Sequence, residues 1–382
     1  MEKRVIKKDA LAGIIKKMAQ SMVVYAPVRD EDNVLFKVLE EGMEPLLDFD
    51  NTKNAPKNFF FPQTEVMMRY MRTERGRELS SVDMGVKEAV LFGVRPCDAR
   101  SFVLLDNVFN DPKYKDPYYI DRREKTTIIS LACVRPPYTT CFCTSVDGHP
   151  FSSEGVDVSL IDMGESYLAE FVTPKGEELL KKMGDLPQAD ETLEAKKQEL
   201  SDAAGKAVNG AVPARAIKPW MDENFEHPFW DTIHQSCLAC GTCTYLCPTC
   251  HCFDITDEVK KDDGRRIRSW DSCMSWLFTM ETSGHNPRSS QYGRQINPPR
   301  LRNPLKEIHT RIVHPLRQTR RLLALTRHDR QRPRLAVQQY RIVVVRDARP
   351  FHQRREQHVP RRINLRRRHV RIRRPRHPRH RA

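Results

Sequence analysis

Leu11, Ile14, Ile15, Met18 and Met22 recur at the spacing of one helical face, so the chain opens with an amphipathic helix whose stripe belongs to the core. Met22–Tyr25 and Val34–Val38 read as short strands around the turn-forming Arg29-Asp30-Glu31-Asp32-Asn33. Phe59-Phe60-Phe61-Pro62 closes a loop, and Thr64–Thr73 reads as helix. Ala89-Val90-Leu91-Phe92-Gly93-Val94 is apolar without a break, the mark of a strand buried on both faces. It opens into Arg95-Pro96-Cys97-Asp98, with Asp98 as N-cap of a helix over Ala99–Val108. Thr126–Ala132 is a second buried strand, ending on Cys133. Val156–Leu160 and Tyr167–Val172 add a strand pair, Lys175–Met183 a helix, and about Thr192–Val208 a solvated polar helix before a connector to Pro219. This alternation predicts an α/β N-terminal domain with a mostly parallel sheet.

In such a sheet, functional groups gather outside the carboxyl ends of the strands. Cys97 and Cys133 both belong there, and Cys141 and Cys143 follow in a Pro/Thr/Ser-rich loop. A helix N-terminus beside Cys97 would lower its pKa and favour a thiolate. The four cysteines form a candidate second metal site, read as an iron–sulfur cluster, with zinc or four unrelated buried thiols as alternatives.

The strongest chemical signal is Cys237-Leu238-Ala239-Cys240-Gly241-Thr242-Cys243-Thr244-Tyr245-Leu246-Cys247-Pro248. Its C-x2-C-x2-C-x3-C-P spacing is the bacterial ferredoxin run for a [4Fe–4S] cluster. Three thiolates two residues apart wrap one cluster from a short loop, and the fourth, a helical turn further on, points away. Gly241 permits the tight backbone, and Pro248 ends the run. Structural zinc sites instead pair two distant C-x2-C knuckles. Phe229 and Trp230 read as packing over the cluster. Cys250, Cys252 and Cys273 are additional candidate ligands that spacing alone does not assign, and His285 reads as a surface or packing residue.

Composition refines the picture. With 382 residues there is room for two or three domains. The N-terminal residues show no secretory signal, and no run approaches a membrane span, so the 11 cysteines point to metal-bound thiolates in a reducing cytoplasm rather than to disulfides. The net charge of +15 is misleading: residues 300–382 carry 27 Lys and Arg against 4 Asp and Glu, which leaves residues 1–299 at −8.

Gly93-Val94-Arg95-Pro96-Cys97-Asp98, Thr140-Cys141-Phe142-Cys143-Thr144-Ser145, the Cys237–Cys252 run with Phe253-Asp254, and Trp270-Asp271-Ser272-Cys273 occur in this order in a known family. Through them the chain resembles the iron–sulfur beta subunit of cytoplasmic nickel–iron sulfhydrogenases and the related iron–sulfur subunit of anaerobic sulfite reductase, from near its start to about Gly293. The resemblance implies a small helical ferredoxin-like domain with two [4Fe–4S] clusters. It also implies a subunit that passes electrons between a flavin- and NAD(P)-binding partner and a hydrogenase or sulfite reductase catalytic subunit, itself performing no catalysis. The family carries a second cysteine run after Ser283-Gly284-His285-Asn286-Pro287-Arg288, whereas this chain has no cysteine beyond Cys273. The missing run leaves a fourth ligand to be found in Cys247 or among Cys250, Cys252 and Cys273.

From Arg300 onward there is no Gly, Cys, Met or Trp and a single Lys, Lys306, among many Arg, His and Pro. Such a segment buries too little apolar surface to fold alone and is expected to be disordered. It reads either as a nucleic-acid-binding tail or as the product of a shifted reading frame, and the abrupt break inside the family pattern favours the latter. The expected organisation is an α/β domain over residues 1–185, a polar helix and connector over 186–225, the iron–sulfur domain over 226–293 and the basic tail over 294–382. No G-x-G-x-x-G behind a strand and no Walker loop is present, so the chain lacks a nucleotide or flavin fingerprint. The reading is an electron-transfer subunit with at least one [4Fe–4S] cluster and room for more, with no membrane or nucleic-acid partner. The rival is a zinc-stabilised nucleic-acid-binding protein that uses the Arg-rich tail.

Overall fold

The computed structural model describes residues 1–290 apart from 75, 225, 226 and 236. Met1–His309 and Thr310–Ala382 are separate units. The second, and with it the expected disordered tail from residue 294, lies outside the described residues.

In chain order the elements are β1 (Glu2–Lys7), α1 (Lys8–Ala19), β2 (Val23–Asp30), β3 (Asn33–Val38), β4 (Thr64–Thr73), β5 (Gly76–Ser81), β6 (Ala89–Val94) and α2 (Pro96–Phe109). The two-residue β7 (Asn110–Asp111) and β8 (Tyr114–Lys115) precede α3 (Pro117–Lys125), β9 (Thr126–Leu131), β10 (Val158–Asp162), β11 (Ser166–Phe171) and α4 (Pro174–Met183). Then come α5 (Glu191–Ala207), α6 (Ala214–Glu223), the short α7 (Phe229–Ile233) and α8 (Thr242–Tyr245), β12 (Phe253–Lys260) and β13 (Asp263–Trp270).

Seven strands form the main sheet in the order β1-β11-β10-β9-β6-β2-β3. The inner strands β10, β9, β6 and β2 are parallel, while β1 and β11 on one side and β3 on the other pair antiparallel. The sheet is therefore mixed, not mostly parallel. The antiparallel pairs arise because β10–β11 and β2–β3 are hairpins and β1 closes onto β11 from the far end of the sequence.

The alternation in β6 explains its unbroken apolar run. Val90 and Phe92 join Leu11, Ile15 and Leu179 from α1 and α4 on one face. Leu91 and Val94 join Phe102, Leu105 and Tyr119 from α2 and α3 on the other. Leu193 and Leu200 of α5 cover Ile161 and Leu168. Gly93, at φ 82°, inserts a bulge between Phe92 and Val94, and a Cβ there would meet Pro27 Cγ at 2.8 Å. Such a bulge re-aims the chain where β6 hands over to the Cys97 turn.

Two expectations need correcting. Thr64–Thr73 is not helical: it is β4, paired with β5 on one edge and β13 on the other, so long-range pairing overrides its local pattern. The segment after residue 226 is not simply helical either. Besides α7, α8 and a 3₁₀ turn at Leu277–Thr279, it contributes the β12–β13 hairpin to a four-stranded antiparallel sheet, β12-β13-β4-β5, shared with the first third of the chain. None of the helices among the described residues is long and apolar enough to cross a membrane.

Candidate metal centre

Cys97 follows Pro96 in the first turn of α2, and Cys133 lies two residues beyond the end of β9, so both sit at carboxyl ends of adjacent parallel strands. Asp98 does not cap the helix: the N-cap is Arg95, and Asp98 is buried inside the first turn. Pro96 suits this start because its missing N–H would be unpaired there anyway. Arg95 is held from several sides. It donates to the carbonyls of Phe49, Asp50 (3.2 Å) and Leu131 (3.5 Å), and its guanidinium lies 4.5 Å from the Phe49 ring.

Cys141 and Cys143 reach the same place through a tightly bonded loop. Cys141 N–H donates to Tyr138 O (3.0 Å), Gly148 N–H to Cys143 O (2.9 Å), and Cys133 N–H to Pro150 O (3.0 Å). The connector after α5 clamps this loop: Gly210 N–H donates to Cys141 O at 3.1 Å, and a Cβ at Gly210 would stand 2.3 Å from that oxygen. No disulfide involves Cys97, Cys133, Cys141 or Cys143.

Three of the four thiols feel their neighbours. Cys97 is exposed at the surface, but the protein packed around it still desolvates its thiol and pushes it up, with Asp98, Cys133 and Cys143 adding to the rise. Burial pushes Cys133 up to about 11, with Cys141 and Cys143 adding and Arg95 opposing. Cys143 rises for the same first reason. The expected acidification of Cys97 by its helix N-terminus is thus overturned, because desolvation and neighbouring negative charge outweigh it.

In the Cys237–Cys247 loop the backbone turns left-handed at Ala239 (φ 55°) and Gly241 (φ 73°). A Cβ at Gly241 would meet the Tyr245 ring at 2.8 Å, so the glycine meets a steric need as well as a conformational one. Thr244 and Tyr245 N–H both donate to Gly241 O, which starts α8. Cys240 and Cys243 are exposed, and Thr242 holds Cys240 below its ordinary pKa through a contact at 3.3 Å. Cys247 is half-buried, and its charge adds to the rise of Asp98, which burial takes up to about 7 against the pull of Arg95. The loop therefore comes within electrostatic reach of the turn that carries Cys97.

The three remaining cysteines, unassigned by spacing, are brought together by the β12–β13 hairpin. Its register sets Phe253 opposite Trp270, and Asp271 N–H donates to Cys252 O at 3.1 Å. Cys252 and Cys273 are electrostatic neighbours, and Cys273, burial and Cys250 nearby all push Cys252 up. Sequence reasoning missed Lys57, which is 1% exposed and donates to Cys250 O at 2.8 Å from 4.2 Å above the Trp270 ring. Its solitary position in a polar loop gives no local signal. Trp230 is buried against Trp220 and Phe229 and donates to Asn224 O at 2.8 Å. His285 is exposed, 3.5 Å from Glu281.

Among the described residues, no three His, Cys, Asp or Glu side chains could hold a single metal ion. An iron–sulfur cluster, unlike a single ion, distributes its thiolate ligands over several metal atoms. The donor chemistry fits such a group. Clustered thiols that burial and mutual repulsion keep protonated become thiolates together when a cationic centre supplies the compensating charge.

Residues 236–311 match the 4Fe-4S dicluster domain family. The chain is also similar to sulfhydrogenase 2 subunit beta of Pyrococcus furiosus, at 31% identity over 276 residues, which is 71% of this chain and 79% of that protein. No solved structure matches.

Proposed function

The chain belongs to the sulfhydrogenase beta-subunit family and is an iron–sulfur electron-transfer subunit with at least one [4Fe–4S] cluster, and from that premise we propose that it relays electrons inside a cytoplasmic multi-subunit oxidoreductase. On one side would stand a flavin- and NAD(P)-binding subunit, on the other a catalytic subunit of the hydrogenase or sulfite reductase type. The observation that carries this reading is the placement of Cys97 and Cys133 at the carboxyl ends of adjacent parallel strands, with the charge of Cys247 felt at Asp98, the neighbour of Cys97 in sequence.

Cys237, Cys240, Cys243 and Cys247 would ligate the ferredoxin-type clusters, and Cys97, Cys133, Cys141 and Cys143 a further one. Bound clusters supply one-electron redox chemistry, tuned by thiolate ligation, hydrogen bonds to sulfur and burial. The chain's own residues fix the surroundings. Arg95 ties the β6–α2 turn to the Phe49–Asp50 loop and holds positive charge beside Cys133. The Gly210 connector keeps Cys141 seated. The exposed Leu238, Tyr245 and Leu246 leave the Cys240 side of the loop open to a partner protein.

Omitting this subunit from the reconstituted complex should abolish turnover driven by reduced nicotinamide nucleotide. Turnover with a small one-electron donor that reaches the catalytic subunit directly should persist. Undiminished nucleotide-driven turnover without the subunit would contradict the proposal.

A further inference from the structure

We propose that the cavity across the carboxyl ends of β6, β9 and β10 binds a small zwitterion of the free amino-acid type, seated between Arg95 and Tyr167. The site adjoins the N-terminal cysteines and does not depend on what they hold.

β6, β9 and β10 are adjacent parallel strands, and ligands of such sheets lie outside the carboxyl ends. There Arg95, Leu131 and Asp162, with Tyr167 of β11 and the loop over residues 47–50, line a cavity of about 70 Å³. Drug-sized ligands take roughly 300–1,000 Å³, so this space admits only a handful of non-hydrogen atoms and excludes a nucleotide or a flavin ring. Of the four N-terminal cysteines only Cys133 lines it, so the cavity stands beside that group and is not its seat.

Tyr167 marks the cavity as a place for a polar occupant. It is 3% exposed, yet among the described residues its hydroxyl has no hydrogen-bond partner. A buried phenol ordinarily finds one. The oxygen is not sealed in dry protein, and the side chain lies on the cavity wall. Burial and the carboxylates of Asp162 and Asp48 push the phenol up to about 12 against the pull of Arg95, so it stays protonated and offers a lone pair as well as a proton.

The charges on the wall decide those of the ligand. Arg95 gives N–H groups to three carbonyls and forms no ion pair among the described residues, which leaves donors over. Arg135 stands on the same wall, exposed and likewise without an ion pair among the described residues. Negative charge comes from the exposed Asp48 and Asp50, and from Asp162, which Lys8 meets at 2.7 Å. A plain anion would face three carboxylates here, and a plain cation two guanidiniums. A molecule carrying both signs suits both sets. Its carboxylate takes guanidinium N–H groups, and its ammonium donates to a wall carboxylate and to the Tyr167 oxygen.

Isothermal titration calorimetry of the full chain, purified without oxygen, tests this with glycine, alanine, leucine, acetate and methylammonium. Glycine and alanine should bind saturably at one site per chain, and the other three about tenfold more weakly or worse. Tyr167→Phe keeps the buried ring, and Arg135→Gln changes an exposed position. Each should weaken glycine binding about tenfold, the effect of losing one hydrogen bond to a charged group. Acetate binding as tightly as glycine would make this an anion site, and methylammonium doing so a cation site; either result overturns the proposal. So would leucine binding as well as glycine, wild-type protein that binds no glycine, or unchanged affinity in both variants.

Discussion

Arg268→Leu is expected to destabilise the protein by about 3–5 kcal/mol, the range for removing one partner of a buried ion pair. Arg268 is 1% exposed, and its guanidinium binds Glu65 through Nε (2.8 Å) and Nη2, and Asp116 through Nη1. The rings of Phe61, Phe109, Tyr118 and Phe253 surround it at 5.3–5.9 Å. Leucine fills part of that volume but leaves two carboxylates facing apolar surface, with Glu65 keeping its pair with Arg122 at 2.9 Å. Because Arg268 lies in β13, the change should also loosen the hairpin that joins Cys252 to Cys273. Lysine should rescue poorly, since one ammonium does not reproduce the fork that serves two carboxylates. Anaerobic denaturant unfolding measures the loss; a change below about 1 kcal/mol would show that the pair is not structural.

Cys133→Ser is expected to remove one whole cluster, about four irons per chain, and leave the rest in place. Cys133 is half-buried in a loop, past the last residue of β9, so a hydroxyl there perturbs packing little. Its contribution lies in the thiolate, which serine does not supply at neutral pH. Cys97→Ser should give the same loss, and the two together no further loss, because both act on a single group. Iron analysis and electron paramagnetic resonance of the reduced protein read this out. Unchanged iron in both variants would mean that the four N-terminal thiols hold no cluster.

These effects separate what sequence shows from what only the fold reveals. Ala89–Val94 declares itself because a strand buried on both faces is a near-continuous apolar run, and Thr126–Leu131 through the β-branched residues that fill four of its six positions. Helices α4 and α5 are legible from their periodicity and polar faces. The Cys237–Cys247 run is legible because its four cysteines come from one loop, so local spacing alone displays the pattern. Strand β4 is not, because one of its two partners, β13, comes from a distant part of the chain. β12 escapes notice for a related reason. It is exposed throughout and is held by cross-strand pairs such as Asp257–Arg266 (2.8 Å), which only the register discloses. The same hairpin hides the relation of Cys252 to Cys273. The acidity of Cys97 is not legible either, because a helix N-terminus is visible in sequence and the desolvation that outweighs it is not.

The most direct test of the account is a potentiometric titration of the isolated, oxygen-free chain, followed by visible absorbance, electron paramagnetic resonance and metal analysis. The account predicts a brown, iron- and sulfide-containing protein whose absorbance bleaches reversibly as electrons are added one at a time to more than one centre. A colourless protein with zinc on the Cys237–Cys247 loop and no reducible centre would contradict it.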